Sequence, residues 1–298
     1  MVKTFATLAA VTVANSSLTK KIKRTLTGSF VDDNAISSNA RTMGGTDDTF
    51  RTLATMMAYA AGWGSDSQSP DSQPDFDAEL SRLEDKYTNY GCYCWIDGVD
   101  NGVIGGGKVK DHTDFQCKEL YRCYKCVNID YSQNYTQVDY QADLTVDDQG
   151  NRVIDCSVNA QSAAENICEC DKRFAEKIAL GESECSMGIA GHKKGDYCMD
   201  ESLRTVTGTR LDNGQAGTFD SRNMCEKAFP DHNKDKCCGI YPNRNPYDSS
   251  HQDCCEIENK DSGDLFYQKM QLDKCEDLGG RVVESEVGNP HSYFVLSN

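Results

Sequence analysis

Apolar and polar positions alternate with two different periods along the chain. In "DDTFRTLATMMAYAAGW", Phe50, Leu53, Met57, Tyr59 and Ala60 recur near helical spacing, with Thr46 or Asp47 placed to cap the first turn. This predicts a helix with one apolar face. "FDAELSRLEDKY" predicts a second helix. Cys117, Leu120, Tyr121 and Tyr124 follow the i, i+3, i+4, i+7 pattern, as do Ile167, Asp171, Phe174 and Ile178. Between Tyr131 and Val153 the period falls to two, which predicts a β-hairpin with its turn at Asp147 to Gly150.

Polar stretches separate these elements. Residues 17–48 contain no cysteine and carry the basic run "KKIKR", residues 64–75 form a linker with two prolines, and "TVTGTRLDNGQAGTFD" reads as a connector. The expected organisation is a signal peptide over 1–16 and an N-terminal extension with one amphipathic helix over 17–74. A helical domain over 75–204 and a cysteine-rich module over 222–298 follow. The extension's helix has polar sequence on both sides, so its apolar face needs a partner. That partner is either the chain's own core or another subunit.

The start, "MVKTFATLAAVTVANS", has one lysine, an apolar stretch from Phe5 to Ala14 and small residues suited to cleavage after Ala14 or Ser16. The stretch is too short to span a bilayer, and no later stretch reaches 18 uninterrupted apolar residues. Sixteen cysteines in 298 residues fit disulfides in an oxidising compartment. Both features predict a secreted, extracellular protein. A mean hydropathy of -0.63 predicts modules with much surface rather than one large core. The net charge of -16 opposes binding to nucleic acid or to an anionic membrane. Calcium is the counter-charge this excess suggests, and the alternative is that the extra Asp and Glu keep a secreted protein soluble. Asn134 begins an N-Y-T sequon and is the glycosylation candidate.

Three segments in order, "YGCYC", "GGGKVKDHTDFQCKELYRCY" and "ICECDKRFAEK", resemble the secreted phospholipase A2 family over residues 90–177. The resemblance implies a mainly α, disulfide-rich fold in which two antiparallel helices stand beside a small β-hairpin. It also implies the pairs Cys94 with Cys117, Cys123 with Cys170 and Cys156 with Cys168. Both ends of one family disulfide are absent together, at Gln116 and Lys177. Cys92, Cys126, Cys185 and Cys198 then remain for two further bridges of open pairing.

In the family, a histidine on the first helix takes a proton from the attacking water, and the next residue, an aspartate, holds calcium. That register here reads Leu120 and Tyr121. Leucine accepts no proton, and a phenol is a poor ligand for a hard cation. Tyr124 and Asp171 occupy the family positions that orient the missing histidine, and their remaining use is a hydrogen bond between helices. His112 precedes Leu120 by eight residues, roughly 12 Å along a continuous helix, and cannot substitute. His192, His232, His251 and His291 lie outside the matching region.

The calcium loop, "CWIDGVDNGVIGGGKVKD", is longer than the family pattern and has Trp95 where a glycine is usual. Its candidate oxygen ligands are Asp97, Asp100 and Asn101. The "DNGVI" portion resembles part of an EF-hand loop, but the closing acidic position falls on Lys108.

"CCGIYPNRNPYDSSHQDCC" resembles small C-C-G-x-Y-P-x-R motifs of modular extracellular and matrix proteins of invertebrates. With Cys225 and Cys275 its cysteines make six, enough for three internal bridges. His232 and His251 raise zinc as an alternative, but the spacing lacks paired C-x-x-C knuckles. Arg244 and the module's aromatics are candidates for a partner surface. These features predict a non-catalytic structural protein that needs no cofactor, a subunit of a matrix, coat or filament that associates with itself or with other extracellular structural proteins. The alternative is a secreted lipid- or calcium-binding protein.

Overall fold

The computed structural model describes residues 24–25, 47–62, 76–87, 90–94, 107–159, 162–187, 198–203, 225, 234–286 and 289–296. The elements begin with β1 (Arg24–Thr25), α1 (Asp47–Ala60), α2 (Phe76–Tyr87) and α3 (His112–Tyr131). A hairpin of β2 (Asp143–Val146) and β3 (Arg152–Asp155) precedes α4 (Ala163–Met187). Six strands follow: β4 (Lys236–Cys238), β5 (Asn245–Tyr247), β6 (Gln252–Glu258), β7 (Leu265–Gln271), β8 (Arg281–Glu286) and β9 (Asn289–Val295). The fold is disulfide-rich with helices and small sheets, since nine strands accompany four α-helices among the described residues. The vicinal cysteines and exposed polar residues of β6 to β8 obscure the period-two signal on which recognition of those strands depends.

Helix α3 starts where Asp111, in extended conformation, accepts the Asp114 N–H at 2.8 Å, and it stops at Ser132, whose φ of 52° is left-handed. Its inward face, with Cys117, Leu120, Cys123, Tyr124 and Val127, packs against Ile167, Phe174 and Ile178 of α4, and Cys123–Cys170 joins the two helices. Bridges Cys94–Cys117 and Cys156–Cys168 fix the turn before α3 and the hairpin's exit. Cys185, near the end of α4, bonds to Cys198.

Helix α1 belongs to this core. Leu53, Ala54, Met56, Met57 and Ala58 are all buried in it, and α1 lies against α4 and α2. Its C-terminal end is tied to the hairpin: Tyr59 donates to the Thr145 carbonyl, while Arg152 donates to the Tyr59 and Gly62 carbonyls at 2.7 Å each. Of the two partners expected for this apolar face, the chain's own core is the one that covers it. Leu53→Ala should lower the unfolding free energy by about 2–5 kcal/mol, the range for truncating a buried leucine. Denaturant unfolding with disulfides intact checks this, and an unchanged midpoint would contradict the docking of α1.

In the C-terminal module, β6 to β9 form an antiparallel sheet of order β7-β6-β8-β9, and β4 pairs with β5 beside it. The vicinal cysteines follow from strand geometry, since successive side chains point to opposite faces. Cys237 reaches Cys126 on α3 while its neighbour Cys238 reaches Cys254 in the sheet, and Cys255 turns away from Cys254 toward Cys275. The six cysteines therefore do not close among themselves. Cys237 bonds to Cys126 on α3 and Cys225 bonds to Cys92, so two disulfides tie this part of the chain to α3 and to the turn before it.

Candidate functional site

Leu120 and Tyr121, the two positions that the resemblance assigns to base and calcium ligand, sit midway along α3. Leu120 is 2% exposed within the helical core, and Tyr121 is half-buried against it. Neither provides a proton acceptor or an anionic oxygen. Tyr121 does not fit a calcium ion, and no group of three His, Cys, Asp or Glu that could hold a metal occurs among the described residues. Asp97, Asp100, Asn101 and Trp95 lie outside the described residues, as do His192 and His232.

One turn further along α3, Tyr124 donates its phenolic proton to the carboxylate of Asp171 on α4. Tyr140, which precedes the hairpin, donates to the other carboxylate oxygen. All three groups are buried. Burial pushes the Asp171 carboxyl up to about 7 against the lowering effect of both phenols, and the Tyr124 and Tyr140 phenols are raised, first by burial and then by the neighbouring carboxylate. Tyr140 escaped sequence reasoning because nothing local marks it. Its place in the alternation of residues 131–153 signals burial and says nothing of Asp171.

A second buried carboxylate organises the turn before α3. Asp114 accepts the backbone N–H groups of Cys92, Tyr93 and Lys110 at 2.9, 2.7 and 2.9 Å. Burial raises its carboxyl above the usual range, although these three bonds act the other way. Gly91 has a φ of 58°, and a Cβ there would meet the Asp114 Cγ at 2.6 Å, so only glycine lets the turn approach this carboxylate. The oxygens that could have faced a cation here are spent on the chain's own amides.

His112, the first residue of α3, lines a cleft of about 280 Å³ with Lys86, Tyr87, Ile178, Glu182 and Met199. Lys86 lies 2.6 Å from Glu182, and the Tyr87 hydroxyl also donates to that carboxylate. Leu120 is not part of the lining. His251 is exposed in the module, 3.1 Å from Asp248, and forms no metal cluster. Asn134 is exposed just beyond α3.

Arg244 departs from its expected place on a partner surface. It is 1% exposed and grips Asp130 near the end of α3 with two bonds, Nε to Oδ2 at 2.6 Å and Nη2 to Oδ1 at 3.0 Å. Its other donors reach the Gly239 carbonyl, the Tyr293 hydroxyl and Ser285, and Tyr241 donates to the same Asp130 at 2.7 Å. Of the C-C-G-x-Y-P-x-R residues, Cys237, Tyr241 and Arg244 thus bond to α3.

No protein-family model matches the chain. It is 36% identical over 112 residues to an acidic phospholipase A2, the beta-bungarotoxin A3 chain of Bungarus multicinctus, covering 37% of this chain and 64% of that protein. It is 35% identical over 96 residues to the basic phospholipase A2 homolog LmutTX of Lachesis muta muta, covering 32% of this chain and 68% of that one. The chain belongs to the phospholipase A2 family. A membrane-associated phospholipase A2 of Mus musculus is 33% identical over 106 residues, 36% of this chain and 64% of its own length. The phospholipase A2 match thus accounts for about a third of the chain. No helix among the described residues is long and apolar enough to cross a membrane.

Proposed function

We propose that the chain is a non-catalytic, secreted protein built on a phospholipase A2 scaffold and used as a structural subunit of an extracellular matrix, coat or filament. The observation that carries the loss of catalysis is the buried Leu120 beside Tyr121, where the chemistry requires a proton acceptor and an anionic calcium ligand. Buried side chains and the bridges Cys94–Cys117 and Cys123–Cys170 surround these positions, which fits a role that depends on shape and durability. Assembly is supported by the C-terminal sheet. Its outermost strands are β7 and β9, with Phe266 44% exposed and Phe294 48% exposed, and strand edges of this kind favour pairing between chains.

A second reading, a secreted lipid-binding protein, is favoured by the cleft beside α3, where Tyr87, Ile178 and Met199 offer apolar walls. The relatives of the chain include a membrane-associated phospholipase A2. Purified secreted protein should release no fatty acid from phospholipid micelles with or without calcium, and light scattering should show a mass above that of the monomer. Calcium-dependent release would overturn the non-catalytic reading. A monomer that yields a bound acyl chain on solvent extraction would replace assembly with lipid carriage.

A further inference from the structure

We infer that Asn134 carries an N-linked oligosaccharide at the corner where the phospholipase A2 domain meets the C-terminal module. The sequon Asn134-Tyr135-Thr136 follows the left-handed stop of α3 at Ser132 and enters a single 3-10 turn, Tyr135–Gln137. Ser132, Gln133, Asn134, Gln137 and Asp139 are all exposed there. The middle residue points the other way. Tyr135 stacks on Tyr124 with ring centroids 4.3 Å apart, and its N–H reaches the Asn128 side chain at 2.8 Å.

This inward anchor leaves the acceptor asparagine on the solvent side of the turn, so a bulky polar group there displaces no buried side chain. The eight disulfides supply an independent argument. A chain with every described cysteine paired fits maturation in an oxidising secretory lumen, the compartment in which such acceptors are used.

In the transfer, the Asn134 side-chain nitrogen forms a bond to C1 of the first sugar of a lipid pyrophosphate-linked oligosaccharide. The bond from that C1 to phosphate breaks, and the lipid pyrophosphate leaves with the electron pair while one amide proton is lost. The oligosaccharide then stands four residues past Asp130, the residue gripped by Arg244. It makes this corner a face of the molecule that solvent keeps. Subunit contacts, where they form, fall elsewhere.

The test uses full-length chain secreted from eukaryotic cells. Residues 15–17, Asn-Ser-Ser, form another sequon, so the measurement must resolve the site. The peptide containing Asn134 should carry a hexosamine-rich mass excess, and enzymatic release of N-glycans should convert Asn134 to aspartate. Asn134→Gln and Thr136→Ala should each abolish the excess on that peptide. Thr136→Ala preserves Asn134 and Tyr135, so it remains informative if Asn134→Gln is poorly secreted. Finding Asn134 unmodified in the secreted wild-type chain overturns the proposal, and so does a modification that survives Thr136→Ala.

Discussion

Arg244→Ala should cost about 3–5 kcal/mol of stability, because it leaves the Asp130 carboxylate buried without its counter-charge. The five N–H donors of a guanidinium all have acceptors at this site: two on Asp130, and the others on Gly239, Tyr293 and Ser285. Gly239 adds a constraint of its own. Its φ is 110°, and a Cβ would lie 2.9 Å from the Asn243 carbonyl, so the carbonyl it presents to Arg244 depends on glycine. The double variant Arg244→Met, Asp130→Leu should regain most of the loss, since removing both charges also removes their desolvation cost. Denaturant unfolding of the two single variants and the double variant, with disulfides intact, measures the coupling. A single-variant effect below about 1 kcal/mol would mean that the two crossing disulfides alone hold the module.

Asp171 should make the protein more stable in mild acid than at neutral pH. Its folded carboxyl is pushed up to about 7, first by burial, against 3.8 for the free group. The folded state therefore binds this proton more tightly than the unfolded chain. The sign follows: the stabilisation is complete below about pH 4 and is lost as pH rises through about 7. By linkage the loss is on the order of 4 kcal/mol. Asp114 is raised as well and adds a contribution of the same sign. Asp171→Asn cannot titrate, and the difference between it and the wild type isolates Asp171. Unfolding free energies of both proteins at pH 4.5 and pH 8 should diverge in slope, with the wild type losing more as pH rises. Parallel profiles would show that the carboxylate is already ionised in the native core.

The helices and the hairpin were legible because each declares itself locally. The period near 3.6 over Leu53 and Met57, and over Leu120 and Tyr124, marks the faces that the core buries. Asp147 and Gly150 mark the turn between β2 and β3. The replacements at Leu120 and Tyr121 could be read by register alone, since chemistry is lost with the side chain. What stayed hidden is long-range. No local pattern tells Asp114 that it will collect amides from Cys92 and Tyr93, or tells Tyr140 that it will meet Asp171. Arg244 misled for the same reason. A guanidinium amid tyrosines suits an outer surface as well as an inner one, and only Asp130, more than a hundred residues earlier, decides between them. The sheet of β6 to β9 was obscured because Cys254 and Cys255 are adjacent and both buried, which breaks the alternation of a one-sided strand.

The bonds Cys92–Cys225 and Cys126–Cys237 both span the stretch between residues 204 and 224. A backbone cut anywhere in that stretch leaves two polypeptides that are still one covalent object. The molecule tolerates nicking without parting, and its halves cannot be inherited or shed as separate pieces while those sulfurs remain joined. Permanence after such a cut is then set by redox conditions as much as by the peptide bond.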